Sequence, residues 1–225
     1  MTKPATATKF TVALAELLRR RGVVFKFNTS VKRLRLEEGR ITGVITDRGT
    51  LDANAYIVAM GSAAVHVLRP LGFDLPIYPV KGYSVTIDID ANVPVPRSSV
   101  MDEHYKVMMT RLGTRLRAAG IAELAGDDVS IRASGPATVL RSLRELFPQA
   151  ALACKGGAPN TWAGLRPMTP DGPPYLGATG ISNLYLNVGQ GSNGWTQACG
   201  GAQVVTDIVC GRRPQIAVEG FGINR

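Results

Sequence analysis

The chain has 225 residues, of which 45% are hydrophobic and 19% are charged. This composition fits one large or two small globular domains and excludes a disordered chain, and the lack of a membrane-length apolar run or a signal-peptide core predicts a cytoplasmic protein. The formal net charge is +9, but the basic residues are scattered, so the sequence favours a peripheral membrane contact or plain solubility over nucleic-acid binding.

The first half of the chain predicts one helix and several short strands. An amphipathic helix is expected over Thr8–Arg21, because apolar residues recur there at helical spacing and Gly22 follows. Strands are predicted at Val23–Phe27, Val31–Leu36, Ile41–Thr46 and Tyr56–Ala59. The last strand opens on Met60, Gly61 and Ser62, the kind of turn where open α/β sheets bind ligands. An ordinary strand-to-helix turn is the alternative explanation of Gly61.

From Pro76 the pattern changes to longer alternating runs. We predict strands over Val80–Ile89 and Tyr105–Leu116 and a helix over Ala137–Phe147. We interpret this region as a second, antiparallel-sheet domain inserted between two parts of the first. The predicted domains are therefore 1–75, 76–158 and 159–225, with the first and third belonging together.

One cation stands out in the third domain. Arg166 is the single cation of the segment WAGLRPMTPDGPPYLG, where Leu165 and Pro167 flank it. A guanidinium in such apolar surroundings is partly desolvated and suited to bind a carboxylate. A structural ion pair is the alternative.

A glycine-rich turn follows the strand predicted at Leu184–Val188. It contains Gly189, Gly191 and Gly194 and leads into a predicted helix over Trp195–Cys210. Backbone N–H groups and the positive end of the helix dipole would converge there on an anionic or electron-rich group. A tight turn without a ligand is the alternative.

The spacing of these glycines matches a dinucleotide-binding fingerprint, with Glu219, after the strand-like segment Ile216–Val218, in the position of the ribose-binding acid. We reject that interpretation, because such a fold needs further strand and helix units after its first turn, and six residues follow Glu219.

The cysteines and histidines indicate no metal site. Cys154, Cys199 and Cys210 form no CxxC pair, which predicts reduced thiols and neither zinc nor a disulfide framework. We expect His66 and His104 to be structural.

Five segments together resemble the D-amino acid oxidase superfamily and, within it, the bacterial D-amino acid dehydrogenases. They are TKFTVALAELLRRRGVVF, IVAMGS, LPIYPVKGYSVTI, WAGLRPMTPDGPPYLG and NVGQGSNGWTQACGG, in a resemblance that runs from about Ala7 to Arg225. It implies a mixed α/β fold, with part of an FAD-binding domain and an inserted antiparallel or mixed-sheet substrate domain. The implied reaction is FAD-dependent oxidative deamination of D-amino acids to 2-oxo acids and ammonia, with a quinone or another electron acceptor.

The resemblance also implies roles for individual residues. Arg166 matches the arginine that pairs with the substrate carboxylate, and Tyr78, Lys81 and Tyr83 are candidates to line the pocket or face a quinone, with strand packing as the alternative for at least two of them. The implied FAD contacts are Val31 at the adenine, Ala59, Met60, Gly61 and Ser62 near the ribose and pyrophosphate, Gly164 and Leu165, and the glycine turn with Gly189, Gly191, Ser192, Asn193, Gly194, Trp195 and Thr196, whose amides hold the flavin edge.

Two departures from the family pattern qualify these expectations. Gln190 stands where the dehydrogenases have a histidine between two glycines, so no imidazole role carries over. The strand and glycine-rich turn with which family members begin have no counterpart here. We therefore expect the C-terminal half of such an enzyme, from a truncated or split gene or a misplaced start codon, with a separate N-terminal FAD-binding chain as a candidate partner.

The sequence also leaves two other functions open. One is a non-catalytic remnant or assembly subunit that cannot hold FAD alone. The other is a relative of glycine or sarcosine oxidase.

Overall fold

The computed structural model describes residues 7–90, 92–152 and 158–225. The helices are α1 (Ala7–Arg20), α2 (Ala64–Leu68), α3 (Ser134–Leu146), α4 (Pro148–Leu152) and α5 (Gly194–Val209). The strands are β1 (Val31–Glu37), β2 (Arg40–Thr46), β3 (Gly49–Leu51), β4 (Tyr56–Val58), β5 (Tyr78–Asp88), β6 (Val100–Asp102), β7 (Val107–Leu112), β8 (Arg115–Leu124), β9 (Asn160–Met168), β10 (Tyr175–Ala178) and β11 (Leu184–Val188). Short 3-10 turns occupy Gly61–Ala63, Arg69–Leu71 and Gly191–Asn193.

The chain divides into two compact units. The sheet unit comprises residues 7–23 and the described part of Val80–Leu165, and the turn unit comprises Val24–Pro79 and Arg166–Arg225. The inserted domain was predicted at 76–158, and α1, which the sequence assigned to the first domain, groups with the insertion. The mixed α/β architecture is as predicted.

The sheet unit is built on one five-stranded sheet in the order β6-β7-β8-β5-β9. The β6/β7, β7/β8 and β5/β8 pairs are antiparallel. One face of this sheet is apolar and forms a core with α3, to which Val85, Leu116 and Met109 contribute from the strands and Val139 and Leu143 from the helix. Burial of these side chains fixes α3 on that face.

The turn unit contains two three-stranded sheets, β1-β2-β3 and β10-β11-β4. In the second, β10 and β11 are antiparallel whereas β11 and β4 are parallel. The buried Asn183 connects the two sheets: its side-chain amide donates to the carbonyl of Ile41 and accepts from the Ile41 N–H, each at 2.9 Å, and its own carbonyl accepts from the Tyr56 N–H at 2.9 Å. These bonds hold β2 beside β4.

Three sequence-based element predictions were wrong. Residues Val23–Phe27 form no strand, because among the described residues no strand pairs with this segment. Phe25 stacks on Phe27 at 5.8 Å between ring centroids. Residues Ile216–Val218, which looked strand-like, are also irregular.

The single strand predicted over Tyr105–Leu116 is a hairpin. Leu112 of β7 pairs with Arg115 of β8, and the two residues between them form the turn. Gly113 adopts a φ of 69°, a left-handed conformation that suits tight two-residue hairpin turns. The alternating pattern continued through this turn and concealed it.

Candidate functional site

Two strand-to-helix turns lie side by side in the turn unit. The parallel strands β4 and β11 are neighbours, with Tyr56 opposite Leu184 and Val58 opposite Leu186. The carboxyl ends of parallel neighbours meet at one edge of a sheet, which is where open α/β sheets bind ligands. The predicted segment Ala59–Ser62 and the predicted turn at 189–194 are therefore adjacent at that edge.

Both turns begin with a glycine in the left-handed conformation. Gly61 has a φ of 57° and Gly191 a φ of 56°, and each starts a 3-10 turn. At Gly191 a second constraint applies, since a Cβ built there would lie 3.0 Å from Sδ of Met168. The backbone at Gly191 is therefore kept bare by its conformation and by close packing.

The start of α5 is open to a ligand. Asn193 precedes the 16-residue helix and makes no side-chain capping hydrogen bond, so the first N–H groups of α5 receive no cap from it. Ser192, Asn193, Trp195 and Thr196 are all exposed. With the helix dipole, this turn can stabilise negative charge placed against it.

The side chain of Gln190, at the centre of the glycine turn, is held by a hydrogen bond and carries no titratable group. Its Nε2 donates to Oδ1 of Asn187 at 2.6 Å, which holds the side chain against β11. The centre of the turn therefore presents a neutral amide.

Arg166 lies in β9 and is half-buried. Burial lowers the pKa of its guanidinium, although arginine stays charged in proteins at neutral pH. Arg166 precedes Met168 by two residues, so both side chains project from the same face of the strand, with the two Cα atoms about 7 Å apart. Met168 packs against Gly191. Arg166 is therefore the neighbour, on the same face of β9, of a residue that contacts the glycine turn.

Met168 contributes to the candidate site through its contact with Gly191, and the sequence did not predict this role. The signal was present in the alternation of β9, because the residue two positions after Arg166 must share its face. What could not be read from the pattern was that this face meets Gly191, a contact between segments far apart in the sequence.

The remaining predicted FAD residues have these surroundings. Val31 begins β1 and packs against the core of the turn unit, and Ala59 and Met60 are exposed at the end of β4. Gly164 is covered by the indole of Trp162, whose Cη2 lies 2.1 Å from where a Cβ of Gly164 would stand. The FAD contacts of Gly164 and Leu165 stay predictions.

The three pocket candidates of β5 differ in environment. Tyr78 is exposed, whereas Lys81 has a relative exposure of 0%. Lys81 Nζ lies 3.2 Å from Asp128 Oδ2 and 3.1 Å from the carbonyl oxygen of Ser130. Lys81 therefore fastens the loop after β8 onto the sheet, and its pocket-lining role stays a prediction.

Glu123 connects Tyr83 to this charge cluster. Tyr83 donates its hydroxyl to Glu123 Oε2 at 2.5 Å. Glu123 Oε1 lies 2.8 Å from Arg132 Nη1 and 3.5 Å from Lys81 Nζ, as ion pairs without hydrogen-bond geometry. Burial alone lowers the pKa of Lys81, but the hydrogen bonds with Tyr83 and Asp128 and the charges of Asp128 and Glu123 leave that pKa raised.

The part of the chain that the structure describes contains no group of three or more His, Cys, Asp or Glu residues placed to hold a metal. In the same residues, no helix is long and apolar enough to cross a membrane. Cys199 and Cys210 are free thiols, and Cys154 lies outside the described residues.

Comparison with known proteins gives one consistent family. Residues 5–208 match the family described as FAD dependent oxidoreductase, DAO. The chain is 48% identical over 217 residues to a D-amino acid dehydrogenase of Allorhizobium ampelinum, covering 96% of this chain and 51% of the relative. It is 51% identical over 211 residues to one of Methylobacterium nodulans, covering 93% and 49%. The chain thus spans about half the length of the curated relatives it matches.

Among solved structures, the glycine oxidase of Geobacillus kaustophilus has a TM-score of 0.85 at 26% identity. The match covers 95% of this chain and 56% of the oxidase. The fold is therefore that of known amine-oxidising flavoenzymes, over about half of their length.

Proposed function

The chain belongs to the DAO family of FAD dependent oxidoreductases, and on that premise we propose that it is the substrate-binding and flavin-edge part of a D-amino acid dehydrogenase. The reaction takes a D-amino acid, water and an oxidised acceptor to a 2-oxo acid, ammonia and the reduced acceptor. One observation carries the proposal: identities of 48% and 51% to proteins named D-amino acid dehydrogenase, extending over 96% and 93% of this chain.

The residues of the turn unit fit the cofactor of this family. A bare backbone at Gly61 and Gly191 permits close approach of a large ligand, and the start of α5 suits an electron-rich ring edge. FAD, when bound, supplies the acceptor for the hydride that leaves the substrate α-carbon. The residues that would hold it are Ala59–Ser62 at one turn and the segment 189–196 at the other, with Val31 at the adenine.

Arg166 is proposed to bind the substrate α-carboxylate. Its planar guanidinium can make two parallel hydrogen bonds to a carboxylate, and its partial burial strengthens that charge pairing relative to water. Fixing the carboxylate positions the α-carbon for hydride loss, and such a transfer depends on positioning more than on acid and base groups.

The proposal includes partners. Electrons would pass to a quinone or a similar acceptor, and the net charge of +9 suits a peripheral contact with an anionic membrane surface. The remaining contacts to FAD would come from an attached segment or from a separate chain.

Two alternatives are each favoured by a particular observation. The TM-score of 0.85 to a glycine oxidase favours a glycine or sarcosine oxidase-like activity on the same fold. The span of 51% of the first dehydrogenase relative favours a non-catalytic part that cannot hold FAD alone.

A fusion experiment separates these functions. The unmatched part of the Allorhizobium ampelinum dehydrogenase is joined to this chain. FAD content and turnover are measured with D-alanine, L-alanine, glycine and sarcosine, using oxygen or a soluble quinone. D-alanine oxidation with the quinone supports the dehydrogenase, and glycine or sarcosine oxidation with oxygen supports the oxidase. A fusion that holds FAD without turning over any of these substrates supports the non-catalytic alternative.

A further inference from the structure

The sheet unit has a polar face opposite its core. Val85 and Leu116 point into the core with α3, so alternation places the next residues along β5 and β8 on the other face. There, Thr86 is opposite Arg117. This face contains a groove of about 670 Å³, lined by Ala7, Thr8, Ser84, Thr86, Asp88, Arg115, Arg117, Asn160 and Trp162.

Trp162 forms a flat wall of this groove. Its indole lies across Gly164, where a Cβ would stand 2.1 Å from the ring atom Cη2, so any larger residue at 164 would displace the ring. Even so, 57% of Trp162 remains exposed. An aromatic ring laid along a strand and left open to solvent can stack a planar group.

Arg117 places a cation beside that ring. Its guanidinium carbon lies 5.8 Å from the centroid of the Trp162 ring, and its Nη2 donates to Oγ of the buried Ser84 at 3.1 Å. The hydroxyl and the indole hold the guanidinium in one orientation. Arginine carries five N–H donors, and among the described residues no carboxylate forms an ion pair with Arg117, so donors remain for an anion.

The charges of the groove favour an anionic ligand. Two arginines, Arg115 and Arg117, and one carboxylate, that of Asp88, line it. The volume of the groove lies within the roughly 300–1,000 Å³ of known ligand sites. Its lining is mostly polar, and Trp162 supplies its aromatic wall. A carboxylate would pair with Arg117 while an attached flat apolar group covers the indole.

We propose that this groove, defined by Ser84, Arg117 and Trp162, is a binding site for a small carboxylate that carries a planar apolar group. The site uses residues of the sheet unit alone and does not rest on the proposed function. No residue assigned above to FAD takes part except Gly164, whose bare backbone seats the Trp162 ring.

Tryptophan fluorescence tests the proposal directly. The chain has two tryptophans, so Trp195→Phe leaves Trp162 as the sole reporter in the full chain. Titration with phenylacetate should change this fluorescence saturably. Phenylacetamide, which has the same shape without the charge, and acetate, which lacks the ring, should both bind at least about tenfold more weakly.

Substitutions made in the Trp195→Phe chain locate the site. Arg117→Met should weaken phenylacetate binding at least about tenfold, because it removes the charged hydrogen bonds. Arg144→Met removes the same charge from an exposed position on α3 and should leave the affinity unchanged, as should Arg166→Met. If Arg117→Met fails to fold by circular dichroism, Arg117→Lys takes its place and should also weaken binding, because lysine lacks the planar fork.

Three results would overturn the proposal. They are the absence of a saturable change with phenylacetate up to millimolar concentrations, equal affinities for phenylacetate and phenylacetamide, and an affinity that depends on Arg166 and not on Arg117. The last result would place the anion at the proposed substrate arginine instead.

Discussion

At the scale of single residues, Arg166 and Gly191 are the positions where the proposed chemistry depends most on residue type. Arg166 combines a charge that is not lost at neutral pH with partial burial. Gly191 combines a left-handed backbone with a close neighbour in Met168. Each of these two residues gives a specific prediction.

Arg166→Lys should raise the KM for D-alanine in the fusion enzyme by roughly tenfold to a hundredfold, because a lysine cannot reproduce two parallel hydrogen bonds worth about 1.5–3 kcal/mol. Steady-state kinetics over a range of D-alanine concentrations measure the effect. Arg144→Lys, an exposed change on α3, is the matched control. Unchanged kinetics in Arg166→Lys would assign Arg166 to structure.

Gly191→Ala and Gly194→Ala should differ in their effects on the fusion enzyme. A Cβ at Gly191 meets Met168 at 3.0 Å in a left-handed backbone, whereas at Gly194 it meets Gln190 Cβ at 3.5 Å, an ordinary contact. We expect Gly191→Ala to lower the free energy of unfolding by about 1–2 kcal/mol and Gly194→Ala to leave it nearly unchanged.

Both substitutions should nevertheless weaken FAD binding and lower the midpoint potential of the bound flavin, because both add a methyl group to the turn whose backbone is proposed to contact the flavin at the start of α5. FAD dissociation and potentiometric titration of the folded fraction measure this. Normal affinity and potential in the stable Gly194→Ala variant would remove the turn from the cofactor site.

At the scale of elements, the loop after β8 is fastened to the sheet by charged groups. Asp128 accepts from the N–H and the hydroxyl of Ser130 at 2.8 and 2.9 Å and from Lys81 at 3.2 Å. The hydrogen bonds from Ser130, followed by the bond from Lys81, lower the pKa of Asp128 to about 2. An unfolded aspartate titrates near pH 3.9, so folding favours the ionised carboxylate.

The contribution of Asp128 to stability should therefore be fully present above about pH 4 and lost as the pH falls from about 4 to about 2. Asp128→Asn should flatten the decline of the free energy of unfolding over this interval, as measured by urea denaturation at a series of pH values. Asp88→Asn changes an exposed carboxylate at the end of β5 and is the control. If the free energy of unfolding of Asp128→Asn fell between about pH 4 and about pH 2 as steeply as that of the unsubstituted chain, the role of this carboxylate in holding the loop would be contradicted.

At the scale of the whole molecule, the edge strand β4 offers a place where further strands can pair with the sheet. It ends the order β10-β11-β4 and pairs in parallel with β11, and Ile57 in β4 is exposed. A parallel strand with an unpaired edge is suited to receive a further strand. The unmatched half of the curated relatives is the proposed source of such strands and of the remaining contacts to FAD.

The 225-residue chain expressed by itself should accordingly carry well under one FAD per chain and dissolve poorly. Coexpression with the unmatched half of the Allorhizobium ampelinum dehydrogenase should raise the FAD content and the soluble yield. The absorbance of the flavin relative to that of the protein, after gel filtration, measures the occupancy. A yellow preparation of the chain alone with one tightly bound FAD would contradict this prediction.

The sequence by itself determined the elements whose signals are local. The periodicity of α1, α3 and α5, the alternation of β11 and the glycines of its turn all depend on neighbouring residues, and the predicted bounds were correct to within three residues. The resemblance to a family added the cofactor and the candidate role of Arg166.

Only the tertiary structure decided which distant segments meet. The pairing of β4 with β11 brings two glycine turns to one edge, Gly164 seats Trp162, and Asp128 of the loop after β8 binds the buried Lys81. The hairpin at Gly113 was missed because alternation alone does not mark where a strand turns back. These arrangements depend on burial and pairing between residues far apart in the chain, and the free energies of such contacts belong to the fold as a whole and not to any local pattern.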